Sequence, residues 1–168
     1  MDARIEGEYT VETNQIETYV LFRDAVPKPV GEEAHLRHIL RFYMARAMLQ
    51  QGNKNVTILP MIHLQDDALR VDVAAEKNGK IIVSICEPES VTPETEELLE
   101  NLKTASDLEV IVVHSQYASP GNIMERFSDE LESGKYNLLA VVPPPFDDVY
   151  EYDIWMFETT FRNLMEGN

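Results

Sequence analysis

The chain has 168 residues, 44% of them apolar and 26% charged, with a formal net charge of −16. That length suits one domain able to build its own core without disulfides or a structural metal, and the composition is that of a globular protein. The longest uncharged apolar run, Leu138 to Phe146, is under half a membrane span and contains three prolines, which argues against a bilayer crossing.

A charge this negative opposes binding to phosphates, but it is unevenly spread. Residues 1–34 carry three basic and eight acidic groups and residues 86–168 carry four and eighteen, whereas residues 35–85 carry seven and four. The middle of the chain can therefore present a basic face to nucleic acid, while its flanks read as a solvated acidic surface. The opening "MDARIEGEYT" alternates charges where a signal peptide needs a basic stretch followed by an apolar one, so the expected location is the cytoplasm. The single cysteine, Cys86 in "IIVSICEP", has the setting of a buried strand thiol, which fits a reducing compartment and disfavours a nucleophilic role.

In chain order, residues 1–32 read as an N-terminal extension with an extra strand in "IETYVLF", and residues 33–168 as a single domain. "EAHLRHILRFYMARAMLQQ", from Glu33 to Gln51, sets Leu36, Ile39, Leu40, Tyr43, Met44, Ala47 and Met48 at helical spacing and is closed by Gly52. "NVTILPMIHL" reads as a strand in which Pro60 implies an edge or a bulge. "RVDVAAEKNGKIIVSICEP" reads as two strands joined at Asn78-Gly79, because both central residues of a type I′ turn need positive φ. "TPETEELLENLKTA" has Thr92 as cap, Pro93 in the first turn and acids at the helix start. "LEVIVVHS" is apolar enough for a central strand; a helix over 122–131, a strand over 137–142 and an aromatic helix over 152–165 follow. The sum is an α/β fold, a mixed central sheet flanked by helices.

The order helix, hairpin strand with an acid in "RVDVAAEKNGK", partner "IIVSICEP", helix and strand "EVIVVHS" resembles the PD-(D/E)xK, or restriction-endonuclease-like, nuclease superfamily, including Holliday-junction resolvases. The resemblance spans about 33–115 and implies the αβββαβ core of that superfamily. In active members the first hairpin strand supplies an aspartate, the second Glu-x-Lys, and the preceding helix often a further acid, together holding one or two magnesium ions. By that resemblance Asp72, Glu87 and Glu33 are the metal candidates, and Asp72, Glu87 and Arg70 the catalytic ones.

This chain departs from the pattern. With Asn78 and Gly79 as turn residues, Lys77 pairs with Lys80, Asp72 faces Ile85 and Arg70 faces Glu87, all four on one side of the sheet. Isoleucine stands where a second metal carboxylate belongs and glutamate where the lysine belongs, although magnesium requires oxygen ligands. In one reading Arg70 and Glu87 form a cross-strand ion pair of ~0.2–1 kcal/mol and Asp72 bonds nearby backbone or a helix end. In the other, Asp72 and Glu87 lie on a diagonal of roughly 7–8 Å that a twist or bulge converts to a metal site, with Arg70 replacing the lysine.

Arg37, Arg41 and Arg46, with Lys54, form the main basic cluster and are the candidate nucleic-acid contacts; Arg37 and Arg41 lie one turn apart. The four histidines show no metal-ligand spacing, and no phosphate loop or serine elbow occurs. The aromatic segment around Trp155 suits core or a subunit contact, and superfamily members are often dimers, so a homodimer is expected by resemblance. The expected function is that of a divergent, catalytically impaired relative acting in a complex or on nucleic acid without cutting it. Two alternatives stay open: an active nuclease dependent on Mg2+ or Mn2+ using Asp72 and Glu87, and an acidic interaction or regulatory module on the same scaffold.

Overall fold

The computed structural model describes residues 3–12, 32–88, 91–115 and 122–141. The strand expected in "IETYVLF", the proline run from Pro143, and the aromatic helix with Trp155 lie outside the described residues. A six-stranded mixed sheet runs in the order β2 (Tyr9–Val11), β3 (Lys54–Ile58), β6 (Val73–Lys77), β7 (Lys80–Glu87), β8 (Leu108–Ser115), β9 (Tyr136–Val141). Neighbours are antiparallel up to β7, and β7, β8 and β9 are parallel. A second sheet holds β1 (Arg4–Glu6), β4 (Met61–His63) and β5 (Ala68–Arg70).

The two sheets share three long strands that bend along one line. Between β1 and β2 stands Gly7, where an added Cβ would meet Thr57 Cγ2 at 2.6 Å and Pro60 Cα at 3.3 Å, so only glycine permits the approach. Between β3 and β4 come Leu59, with φ of +53°, and Pro60. Between β5 and β6 come Val71 and Asp72. Hydrogen bonds cross the bend from Leu59 N–H to Asp72 C=O at 2.8 Å and from Val71 N–H to Pro60 C=O at 3.2 Å. The strand expected over 55–64 is thus divided at its proline, and the strand expected from Arg70 onward is divided at Asp72.

Helix α1 (Glu32–Gln50) lies on one face of the large sheet and buries Leu40, Tyr43, Met44 and Met48 against Val56, Val73, Ile82 and Val113. A second line on α1, His38, Phe42 and Ala45, is also buried, with the His38 and Phe42 rings edge to face at 4.9 Å. Helix α2 (Pro93–Leu102) covers the other face, and Thr92 Oγ1 accepts the N–H of Thr95 at 3.3 Å, the expected cap. Leu99 and Leu102 join Ile81, Val83, Ile85, Val110 and Ile62 in a second core cluster. The single helix expected over 122–131 is two short ones, α3 (Ile123–Arg126) and α4 (Ser128–Ser133). They break at Phe127, whose ring is buried beside Tyr136.

Each core cluster buries more than a dozen apolar side chains, which at about 1.5–3 kcal/mol per large side chain is the main force holding helices to sheet. Among the described residues, no helix is long and apolar enough to cross a membrane.

Candidate functional site

The hairpin register agrees with the turn chemistry. Asn78 and Gly79 have φ of +51° and +79°, and Lys77 pairs with Lys80, Ala75 with Ile82 and Val73 with Ser84. There the ladder ends, because the chain turns away into the second sheet while β7 continues three residues to pair with β8. Asp72 sends its N–H to Ser84 C=O at 3.2 Å, so the strict register that would set it across from Ile85 is not kept.

The departure of β6 leaves the backbone of Cys86 without a strand acceptor on that side, and the side chain of Asp72 fills the gap. Its Oδ2 accepts the Cys86 N–H at 2.7 Å, while Oδ1 accepts from Arg41 Nε at 2.6 Å. Buried backbone donors require such partners, and a charged acceptor makes the bond stronger. Glu87, at the last position of β7, has Oε1 3.4 Å from Arg37 Nη2, and its Oε2 accepts the Thr92 N–H at 3.1 Å. The side chains of Asp72 and Glu87 are 11% and 2% exposed, those of Arg41 and Arg37 17% and 31%. The result is a largely enclosed cluster of two acids and two guanidinium groups where α1 crosses the end of β7.

Burial pushes the Glu87 carboxyl above the ordinary glutamate range, against the opposing pull of Arg37, the Thr92 N–H and the Thr95 side chain. Burial, then the neighbouring Asp72 charge, pushes the Cys86 thiol well up, which keeps it protonated and unreactive. His114, buried in β8, stands opposite Glu87 in the parallel register.

The sequence candidates therefore separate. Arg37 and Arg41, expected to face phosphate, lie against the two acids expected to face metal. Arg70 does not oppose Glu87: it sits in β5 opposite Met61, exposed, and its Nη1 donates to Leu59 C=O at 2.5 Å. The cross-strand pair Arg70–Glu87 is replaced by a helix-to-strand pair, because the bend at Asp72 carries Arg70 into the other sheet. Arg46 is half-buried further along α1, and Lys54 is exposed at the start of β3. Glu33 lies in the first turn of α1 and its side chain is outside the described residues. Among the described residues, no group of three or more His, Cys, Asp or Glu is placed to hold a metal ion. Sequence reasoning missed Thr92 and Thr95 as partners of Glu87; the signal was present, since a capping Thr five residues beyond a strand-end acid must lie beside it.

No protein-family model matches the chain. No curated protein matches it either. Among solved structures, it is similar to Can2 from Sulfobacillus thermosulfidooxidans, in complex with cyclic tetra-adenylate, with 12% identity over 75% of this chain and a TM-score of 0.42. It is also similar to the protein VC1899 from Vibrio cholerae, with 12% identity over 76% of this chain and a TM-score of 0.39. The chain spans 36% and 33% of the lengths of those two proteins.

Proposed function

We propose that this chain is a divergent protein on a restriction-endonuclease-like scaffold whose strand-end acids serve as internal ion-pair partners, and that it acts on nucleic acid or within a complex without cutting. The observation that carries this reading is that every oxygen of Asp72 and Glu87 has a protein partner: Arg41, Cys86 N–H, Arg37 and Thr92 N–H. Two guanidinium groups already balance the two carboxylates. A divalent cation entering there would meet two positive charges in a poorly solvated space, where Coulomb repulsion is several times stronger than in water. The donor set is also short of an oxygen, with Ile85 buried nearby. These residues therefore fit a divalent ion poorly, and their chemistry is that of a charge-neutral clamp between α1, the strand bend and α2.

The experiment is thermal unfolding in millimolar Mg2+ or Mn2+, paired with incubation of a labelled DNA duplex under the same conditions. The expected result is no metal-dependent rise in Tm and no cleavage. A metal-dependent rise or cleavage that disappears in Asp72→Asn, a variant that keeps the acceptor for Cys86, would establish the active nuclease instead.

A further inference from the structure

The opposite end of β7 carries a different kind of site. The β6–β7 turn lies seven residues from Glu87, roughly 23 Å along an extended strand. Beside it is a groove of about 410 Å3 between the end of α1 and the turn, lined by Gln51, Asn53, Lys54, Glu76, Lys77 and Asn78 among others. Its size falls within the range of small-ligand sites, ~300–1,000 Å3.

Asn53 is the unusual member. It is 8% exposed, and its Nδ2 makes no hydrogen bond. An amide donor shut away from water without a partner costs about 1–3 kcal/mol, and such groups in native proteins ordinarily mark a missing acceptor. The neighbouring backbone cannot supply that acceptor. The helix-end carbonyls of Ala47, Leu49 and Met48 already take the N–H groups of Gln51, Gly52 and Asn53, at 3.0, 3.0 and 3.1 Å. The one acid lining the groove, Glu76, has Oε1 engaged by Asn55 Nδ2 at 3.3 Å.

Around that donor stand Lys54 and Lys77, both exposed. Lys77 has only a 3.9 Å surface contact with Glu109, a pairing worth little in water. Two ammonium groups against one partly engaged carboxylate, above an unmatched amide donor, define an acceptor-rich anion. We propose that this groove binds a phosphate group, with Asn53 Nδ2 donating to one oxygen and Lys54 and Lys77 neutralising the charge. The inference goes beyond the proposed function and does not rest on it, since other residues carry it and no metal is involved. The phosphate can belong to a nucleic-acid backbone or to a small phosphorylated molecule, and the arms of the test separate these sources.

The test is an NMR titration of the nitrogen-labelled full chain at low salt without divalent ions, first with inorganic phosphate, then with a short oligothymidylate. The expected result is saturable shifts of the Asn53 side-chain amide and of the backbone amides of Gly52, Lys54, Asn78 and Gly79. Affinity should fall about tenfold in Lys54→Gln/Lys77→Gln and in Asn53→Asp, a loss of ~1.4 kcal/mol. For the oligonucleotide, the dependence of log affinity on log salt should flatten by about one in the double-lysine variant. A response to both probes, or to oligothymidylate alone, assigns the phosphate to a polymer. A response to inorganic phosphate alone assigns it to a small ligand. No saturable shift with either probe, shifts elsewhere on the surface, or affinity unchanged in both variants would overturn the site. Because the double-lysine variant changes only exposed side chains, it keeps the test decisive even if Asn53→Asp fails to fold.

Discussion

The two ends of strand β7 hold charged residues in opposite ways. At Glu87, two acids and two arginines are enclosed together, each carboxylate oxygen matched to a donor. At the Asn78-Gly79 end the lysines are exposed and loosely paired, and the unmatched group is a buried neutral amide. Burial converts a charge into a structural obligation, because an ion removed from water must be paired locally or not charged at all. An exposed charge carries no such obligation and remains available to a ligand. The arginines of α1, which look from sequence like the phosphate contacts, are the residues least free to make them.

The largest expected effect lies at the enclosed end. Asp72→Ala strips the Cys86 N–H of its acceptor and leaves Arg41 unpaired in a site only 17% exposed. Breaking such a pair from one side should cost about 3–5 kcal/mol, read as a lower denaturation midpoint in urea. Asp72→Asn keeps the acceptor and loses only the charge, so it should cost clearly less than Asp72→Ala. If both variants unfold at the wild-type midpoint, the cluster is not structural and the contrast between the ends collapses.

Next comes the turn. Gly79 has φ of +79° and open space where a Cβ would be, so Gly79→Ala meets no steric neighbour and its cost is backbone strain alone, about 1–2 kcal/mol. Lys77 and Asn78 flank it, so the same variant checks whether groove geometry depends on the turn. A loss as large as that of Asp72→Ala would show that the two ends are equally committed to the fold.

Much of this fold was legible in the chain. Asn78-Gly79 set the register from Val73 to Lys77, since only positive φ closes a two-residue turn, and Thr92-Pro93 fixed the start of α2. The shared bend was not legible. Pro60 signalled an irregularity, but nothing local to Val71-Asp72 or Gly7 says that three strands leave one sheet for another together. That is a consequence of long-range pairing. The same bend decided the site: it moved Arg70 away from Glu87 and turned the carboxylate of Asp72 onto the next strand. The second buried line of α1, His38, Phe42 and Ala45, was hidden for a related reason. A helix covered on more than one side loses the single apolar stripe by which periodicity is read.

A pH experiment sharpens the account of the enclosed end. The Glu87 carboxyl is raised in the folded chain by burial, so the folded state holds that proton more tightly than the unfolded one. Its contribution to stability is then fully present below the ordinary glutamate range and is lost as pH rises through the higher folded value. Glu87→Gln cannot ionise and keeps an oxygen for the Thr92 N–H. Its stability relative to wild type should therefore improve from acid to neutral pH, measured by urea unfolding across that window. A difference that stays constant with pH, or moves the other way, would mean that Arg37 outweighs desolvation and that the pair is a net stabiliser of the charge.

The smallest expected effect belongs to Lys77→Gln. The Lys77 side chain is 46% exposed, and its contact with Glu109 at 3.9 Å is solvated on both sides, so removing it should change unfolding stability by no more than about 0.5 kcal/mol. The result matters because it is small. A lysine kept at a groove by ligand binding, and not by folding, should be removable without structural loss, yet should weaken phosphate affinity in the same preparation. If Lys77→Gln instead lowered the urea midpoint as Gly79→Ala does, the lysine would be bracing the β6–β7 hairpin against β8. The basic end of the strand would then be as structural as the acidic one.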